Sequence, residues 1–140
     1  VNFTIHELTR SAAAVSRGIS NDPPPELLAN GERLRLLLQE VRDLLGVPVD
    51  VSSGYRSPAV NKLVGGEPKS AHLQFLAADI RPRGMGLLEA FKRIVESKIQ
   101  FDQVILEPNW IHIALPKPRL QALVAKRGER GFKYAPYLRD

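Results

Sequence analysis

The chain contains no cysteine. That excludes disulfides, thiolate metal ligands and a cysteine nucleophile, so any metal must be held by nitrogen and oxygen. No run of eighteen apolar residues occurs, and nothing in the sequence spans a membrane. Aromatic residues make up only 6% of the chain, with a single tryptophan, Trp110. Histidine is equally rare at three, which makes the placement of each one informative. The first residues lack the basic-then-apolar pattern of a secretory signal, and a chain opening on Val1 is also what processing or trimming would leave. Internal repeats and low-complexity tracts are absent as well.

What is present is ordinary for a folded protein. The 140 residues, 44% hydrophobic and 25% charged, fit one domain over 1–140 with a real core. Lys and Arg number 20 against 15 Asp and Glu, a net charge of +5. Such an excess favours anionic partners: nucleic acid, a membrane surface or the bacterial cell wall. Much of it falls late, in Lys117, Arg119, Lys126, Arg127, Arg130 and Lys133, with Glu129 the one acid among them. Only Phe132, Tyr134 and Tyr137 interleave with these charges, so no nucleic-acid partner is expected.

Spacing predicts a mixed architecture. Thr4 or Thr9 can start helical turns in a short lead-in over 1–22. Asp22-Pro-Pro-Pro-Glu26 is a helix start, since proline is tolerated in a first turn. The helix then runs to Leu45 with a break near Gly31, an apolar stripe of Leu34, Leu37, Leu38, Val41, Leu44 and Leu45, and a stop at Gly46. Val47 to Ser52 reads as a strand, Ser57-Pro58 to Leu63 as a helical turn, Leu76 to Ile80 as a second strand and Gly86 to Lys98 as a helix. Phe101–Glu107 and Trp110–Leu115 form a hairpin around Pro108-Asn109. A basic helix and a final Gly-Phe-Lys-Tyr strand or loop complete the chain. The fold class is α+β, a small antiparallel sheet flanked by helices.

Two of the three histidines stand in one constellation with an aspartate: Ser70-Ala-His72, Ala77-Ala-Asp79 and Trp110-Ile-His112. Two imidazoles and a carboxylate suit a catalytic zinc site, because three protein ligands leave a fourth position open. Hairpin parity adds a carboxylate. If Glu107 faces Trp110, then Gln103, Ile105 and Glu107 share a face with Trp110, His112 and Ala114, while Ile111, Ile113 and Leu115 point into the core. Glu107 then lies one diagonal step from His112, about 7 Å between backbone positions. Asp79, in a strand between Ala78 and Ile80, is a buried carboxylate that needs a partner or a metal.

The pattern Ser52-Ser-Gly-Tyr-Arg56-Ser-Pro, then Ser70-x-His72-x6-Asp79-Ile, then Trp110-Ile-His112-Ile resembles zinc D-alanyl-D-alanine carboxypeptidases and L-alanyl-D-glutamate endopeptidases. The likeness runs from Asn2 to Leu115. The Phe101-Asp-Gln-Val-Ile-Leu-Glu107 strand resembles the phage-lysin branch of this hedgehog-like fold. The resemblance implies a zinc metallopeptidase that hydrolyses peptide bonds in peptidoglycan stem peptides by metal-activated water. It implies His72, Asp79 and His112 as ligands of Zn2+, Glu107 as acid/base, and Arg56 as a catalytic and substrate-binding cation. Ser70, Gln103 and Trp110 complete the expected substrate-binding set. A monomer acting on the cell wall, in the periplasm or outside the cell and of phage or prophage origin, is what this reading expects.

Two positions depart from the family pattern. Many relatives carry the glutamate three residues before the last histidine, where this chain has Asn109. Phe75 stands where glycine is usual, three residues after the first histidine, which implies a reshaped loop or a crowded pocket. Both departures feed a competing expectation, a noncatalytic cell-wall or partner-binding module that keeps zinc for folding.

Overall fold

Most helices begin where the sequence supplies a side-chain cap. A computed structural model of the chain describes residues 2–115, 120–128 and 131–138. In it the Thr4 hydroxyl accepts the Glu7 N–H at 3.1 Å and starts α1 (Ile5–Thr9). Ser11, not Thr9, starts α2 (Ala12–Arg17) by accepting from Ala14. Ser57 caps α4 (Pro58–Leu63) in the same way through Val60, with Pro58 in the first turn. The long helix α3 (Leu28–Leu45) has no side-chain cap; a 3-10 turn over Pro25–Leu27 feeds it, and Gly46 ends it in the left-handed region.

Helix α3 runs through Gly31 without the expected break. Gly31 is buried, and a Cβ there would meet the Phe75 ring at 2.7 Å. Glycine costs about 1 kcal/mol relative to alanine inside a helix, and here it makes room for an aromatic ring. Leu34, Leu37, Leu38, Val41 and Leu45 form the buried stripe as expected, whereas Leu44 turns partly to solvent.

Six strands form one sheet in the order β1-β2-β4-β3-β5-β6: β1 (Val49–Ser53), β2 (Ala77–Pro82), β3 (Gln103–Leu106), β4 (Ile111–Ala114), β5 (Gln121–Gly128) and β6 (Gly131–Pro136). The class is α+β, as the sequence implies, but the sheet is mixed: β3 and β5 pair in parallel while the other pairings are antiparallel. The hairpin explains this. It returns the chain from β4 to the start of β3, where Gln103 faces both Ala114 and Gln121, so β5 enters there and runs alongside β3.

The basic helix expected in the last third is therefore corrected to strand β5, while the final Gly131-Phe-Lys-Tyr134 run forms β6, one of the two forms expected of it. Leu120, Leu123 and Val124 have helical spacing, but the open edge of β3 offers backbone partners, and such tertiary pairing overrides local preference. Lys117, Arg119, Glu129 and Arg130, part of the late charge cluster, lie outside the described residues.

The core lies on one face of the sheet. Ala78, Ile80, Val104, Ile111 and Ile113 pack with the α3 stripe and with Ala90, Phe91, Ile94 and Val95 of α5 (Leu87–Glu96). Strand alternation sends Asp79, Glu107 and His112 to the other face. Among the described residues no helix is long and apolar enough to cross a membrane.

Candidate metal centre

Register assembles the site. Asp79 pairs with His112 across β2 and β4, and His112 pairs with Ile105 across β4 and β3. The Glu107 N–H donates to the Trp110 carbonyl at 2.9 Å, closing the hairpin over Pro108 and Asn109. Gln103, Ile105, Glu107, Trp110, His112 and Ala114 accordingly line one cleft of about 630 Å³, together with Arg56, Ser70, His72 and Asp79. Every site residue expected from the sequence lies in that cleft.

His72 arrives from outside the sheet, on a 3-10 turn over Ala71–Gln74. The Ser70 hydroxyl accepts the His72 N–H at 3.2 Å and starts that turn. The ring Nδ1 lies 2.6 Å from the Gly54 carbonyl oxygen. A carbonyl only accepts, so Nδ1 carries a proton; in the neutral ring that leaves Nε2 with its lone pair, and in the charged ring Nε2–H faces Asp79. Only glycine fits at position 54, because a Cβ there would overlap the Leu8 carbonyl.

Nε2 of His72 lies 3.3 Å, and Nδ1 of His112 3.0 Å, from the same Asp79 oxygen, Oδ1. The three ligand atoms fall within 4.8 Å of one another, and no other cluster among the described residues does so. Tetrahedral ligands about 2 Å from one zinc ion are separated by about 3.3 Å. Two imidazole nitrogens and a carboxylate oxygen fit zinc in donor chemistry, and the two distances to Asp79 Oδ1 match that separation.

The second Asp79 oxygen faces Arg56, whose Nη2 is 3.4 Å away. Burial pushes the Asp79 carboxyl up, but hydrogen bonds and charge from His112 and His72 outweigh it and hold the group below the usual carboxylate range. Ser53 and Asn61 accept from Arg56 at 3.2 and 3.3 Å, and the Arg56 N–H donates to the His72 carbonyl at 3.1 Å. Burial draws the guanidinium down from its ordinary value and the Asp79 charge draws it up; arginine stays charged throughout.

Glu107 is 9% exposed at the edge of the cleft. Burial pushes its carboxyl up, while a hydrogen bond from Tyr134 and the charge of His112 pull it down. Asn109, at the position where many relatives have glutamate, is exposed on the turn. Ser70 is engaged in capping the His72 turn, and the Gln103 side-chain amide donates to Gln121 at 2.7 Å. Trp110 forms part of the cleft wall.

Phe75 does not crowd the pocket. Its ring is fully buried against Gly31 and lies 5.5 Å from Tyr55. Its backbone is left-handed, φ 59, where the turn closes onto the His72 carbonyl. That conformation explains why glycine suits the position: a side chain there costs roughly 1–2 kcal/mol.

Sequence reasoning missed Tyr134, on β6. Its hydroxyl donates to Glu107 Oε2 at 3.3 Å. Burial first, then the Glu107 bond and charge, push the phenol up to about 12, so it remains protonated and a donor. Its Gly131-Phe-Lys-Tyr134 run was legible as strand or loop, but the pairings of β3 with β5 and of β5 with β6 that bring it beside Glu107 are tertiary and leave no local signal.

Two imidazoles and a carboxylate beside an open cleft, with a further buried glutamate at its edge, are the donor set and the base that a hydrolytic metal centre requires. Residues 1–114 match the family Peptidase M15, and the chain belongs to that family. No curated protein matches the chain. Membership makes it a metallopeptidase, of a family generally dependent on zinc.

Proposed function

We propose that the chain, acting over 1–140 as one catalytic unit, is a zinc peptidase that hydrolyses peptide bonds in the stem peptides of bacterial peptidoglycan. The observation that carries this reading is the convergence of His72, Asp79 and His112 on a cleft that Glu107 borders. His72 through Nε2, His112 through Nδ1 and Asp79 through Oδ1 would hold the ion. Zinc bound there supplies Lewis acidity, which makes water acidic near neutral pH and polarises a peptide carbonyl.

The protein's own groups do the rest. The Glu107 carboxylate takes the proton of the attacking water and passes it to the leaving amine. Arg56 supplies fixed positive charge for the oxygen that becomes negative. The Gly54 carbonyl keeps His72 in the tautomer that presents Nε2. Arg56 and Lys69, both lining the cleft, suit a peptide that bears free carboxylates, as stem peptides do.

The competing reading, a noncatalytic zinc-containing module, drew on Phe75 and the shifted glutamate. Phe75 turns into the core and Glu107 borders the cleft, so neither feature favours it. The enzyme acts as a monomer at the cell wall, and its Phe101–Glu107 strand supports a phage or prophage source.

The test is to incubate the zinc-loaded protein with purified peptidoglycan, with and without a chelator, and identify released fragments by mass spectrometry. Chelator-sensitive release supports the peptidase, and the new termini name the bond: D-Ala-D-Ala, L-Ala-D-Glu or a cross-bridge. No release from several wall types, despite one tightly bound zinc, would return the protein to the binding-module reading.

A further inference from the structure

We infer that Tyr134 is a positioning residue for Glu107, supplied by the C-terminal hairpin β5–β6 that lies beyond the residues matched to the family. The inference rests on Glu107 acting as the base. Its own support is the register of the sheet and the chemistry of the contact.

Four residues stand in one row across the strands. Glu107 faces Trp110 through the bond that closes the hairpin. Leu106 aligns with Val124 in the parallel pair, which puts Glu107 beside Ala125 one step further on. Ala125 in turn pairs with Tyr134. The row therefore reads Trp110, Glu107, Ala125, Tyr134, all toward the cleft by strand alternation.

Tyr134 and Glu107 are two strands apart, and a large residue between them would separate them. Ala125 presents only a methyl group, so the tyrosine reaches over it and places its hydroxyl on Glu107 Oε2. The hairpin carrying it is anchored, not frayed. The Tyr137 N–H donates to the Ala122 carbonyl at 2.9 Å, and the Tyr137 ring packs edge-on against Phe91 at 5.1 Å.

One donor on one carboxylate oxygen has a definite consequence. A glutamate has three side-chain torsions, and a general base works only within hydrogen-bond reach of the proton it takes. With Oε2 held by the phenol, Oε1 is left as the oxygen that accepts that proton. A catalytic group displaced by about 1 Å can cost roughly a hundredfold in rate, so freeing the carboxylate to rotate should show in turnover.

The experiment compares the full chain with Tyr134→Phe, Glu107→Gln and the double variant on solubilised peptidoglycan, measuring kcat, KM and bound zinc. Phenylalanine keeps the ring and removes only the hydroxyl. The expected result is a kcat lowered at least tenfold in Tyr134→Phe, with KM and zinc content unchanged. In the Glu107→Gln background the same substitution then changes kcat less than twofold. An unchanged kcat, a raised KM in its place, or an equal loss in both backgrounds would overturn the inference.

A second readout does not depend on turnover. The carbon-13 resonance of the Glu107 carboxylate should move in Tyr134→Phe and stay in place in Phe132→Leu; an unmoved resonance in Tyr134→Phe overturns the contact. If Glu107→Gln keeps near-normal turnover, the base assignment fails and the positioning role with it. That failure is read from a variant in which Tyr134 is intact.

Discussion

The two sides of β3 are built on opposite terms. On one side, β4 and β2 are almost wholly buried, and they carry Asp79 and His112. On the other, β6 has no buried residue, and Ala122 is the one buried residue described in β5. Packed side chains fix the first side, whereas the second is held by backbone hydrogen bonds and a few core contacts, those of Ala122, Val124 and Tyr137. Groups that must converge to within a few tenths of an ångström sit where packing leaves the backbone no latitude. A wall of the cleft tolerates the looser construction.

The largest expected effect falls on the buried side. Asp79→Ala removes the carboxylate that both imidazoles and Arg56 face, and should abolish zinc binding together with fragment release. Metal content and peptidoglycan digestion check both. Next comes Glu107→Gln, which should keep the zinc and lower turnover by about 10²–10⁴-fold. A variant that loses zinc as well would show that Glu107 supports the ligands rather than the reaction.

Stability should divide along the same line. Phe75→Ala empties the space beneath Gly31 and should cost about 3–5 kcal/mol in urea unfolding. Phe75→Gly loses the same ring but relieves the left-handed backbone, offsetting the extra flexibility of glycine in the unfolded chain. It should therefore be no less stable than Phe75→Ala. Phe132→Ala, on the hairpin and 48% exposed, should change stability by no more than about 0.5 kcal/mol. Comparable losses at Phe75 and Phe132 would erase the distinction between the two sides.

The smallest effect belongs to an exposed ion pair. A hydrogen bond from Arg83 is the main reason the Asp50 carboxyl is held below its ordinary value. A depressed carboxylate contributes stability above its unfolded pKa and loses that contribution as pH falls through the folded one. Both partners face water, so Asp50→Asn should leave the melting curve at pH 7 within experimental scatter and flatten its acid side only slightly.

Much of this was legible in the sequence, for identifiable reasons. A two-residue turn of Pro108 and Asn109 sets the parity of both hairpin strands, so the side of the sheet taken by Glu107 and His112 followed from spacing once that turn length was assumed. The α3 stripe followed from its period. The approach of His72 did not, because the carbonyl that orients it belongs to Gly54, a contact made only by tertiary folding. The direction of Phe75 was hidden for a related reason: its ring fills a space opened by a glycine 44 positions earlier. Strand β5 was lost to helical spacing, and with it the row leading to Tyr134.

The contact between Gly54 and Leu8 couples two quantities usually measured apart. The Leu8 carbonyl accepts the Tyr55 N–H at 2.8 Å and bounds the space at Gly54, whose own carbonyl orients His72. Helix α1, which contributes no residue to the cleft lining, thereby acts as a backstop for an imidazole. Disturbance of α1 would register as weakened zinc affinity before it registered as unfolding, so chelator titration would probe the N-terminal helix more sensitively than a melting curve.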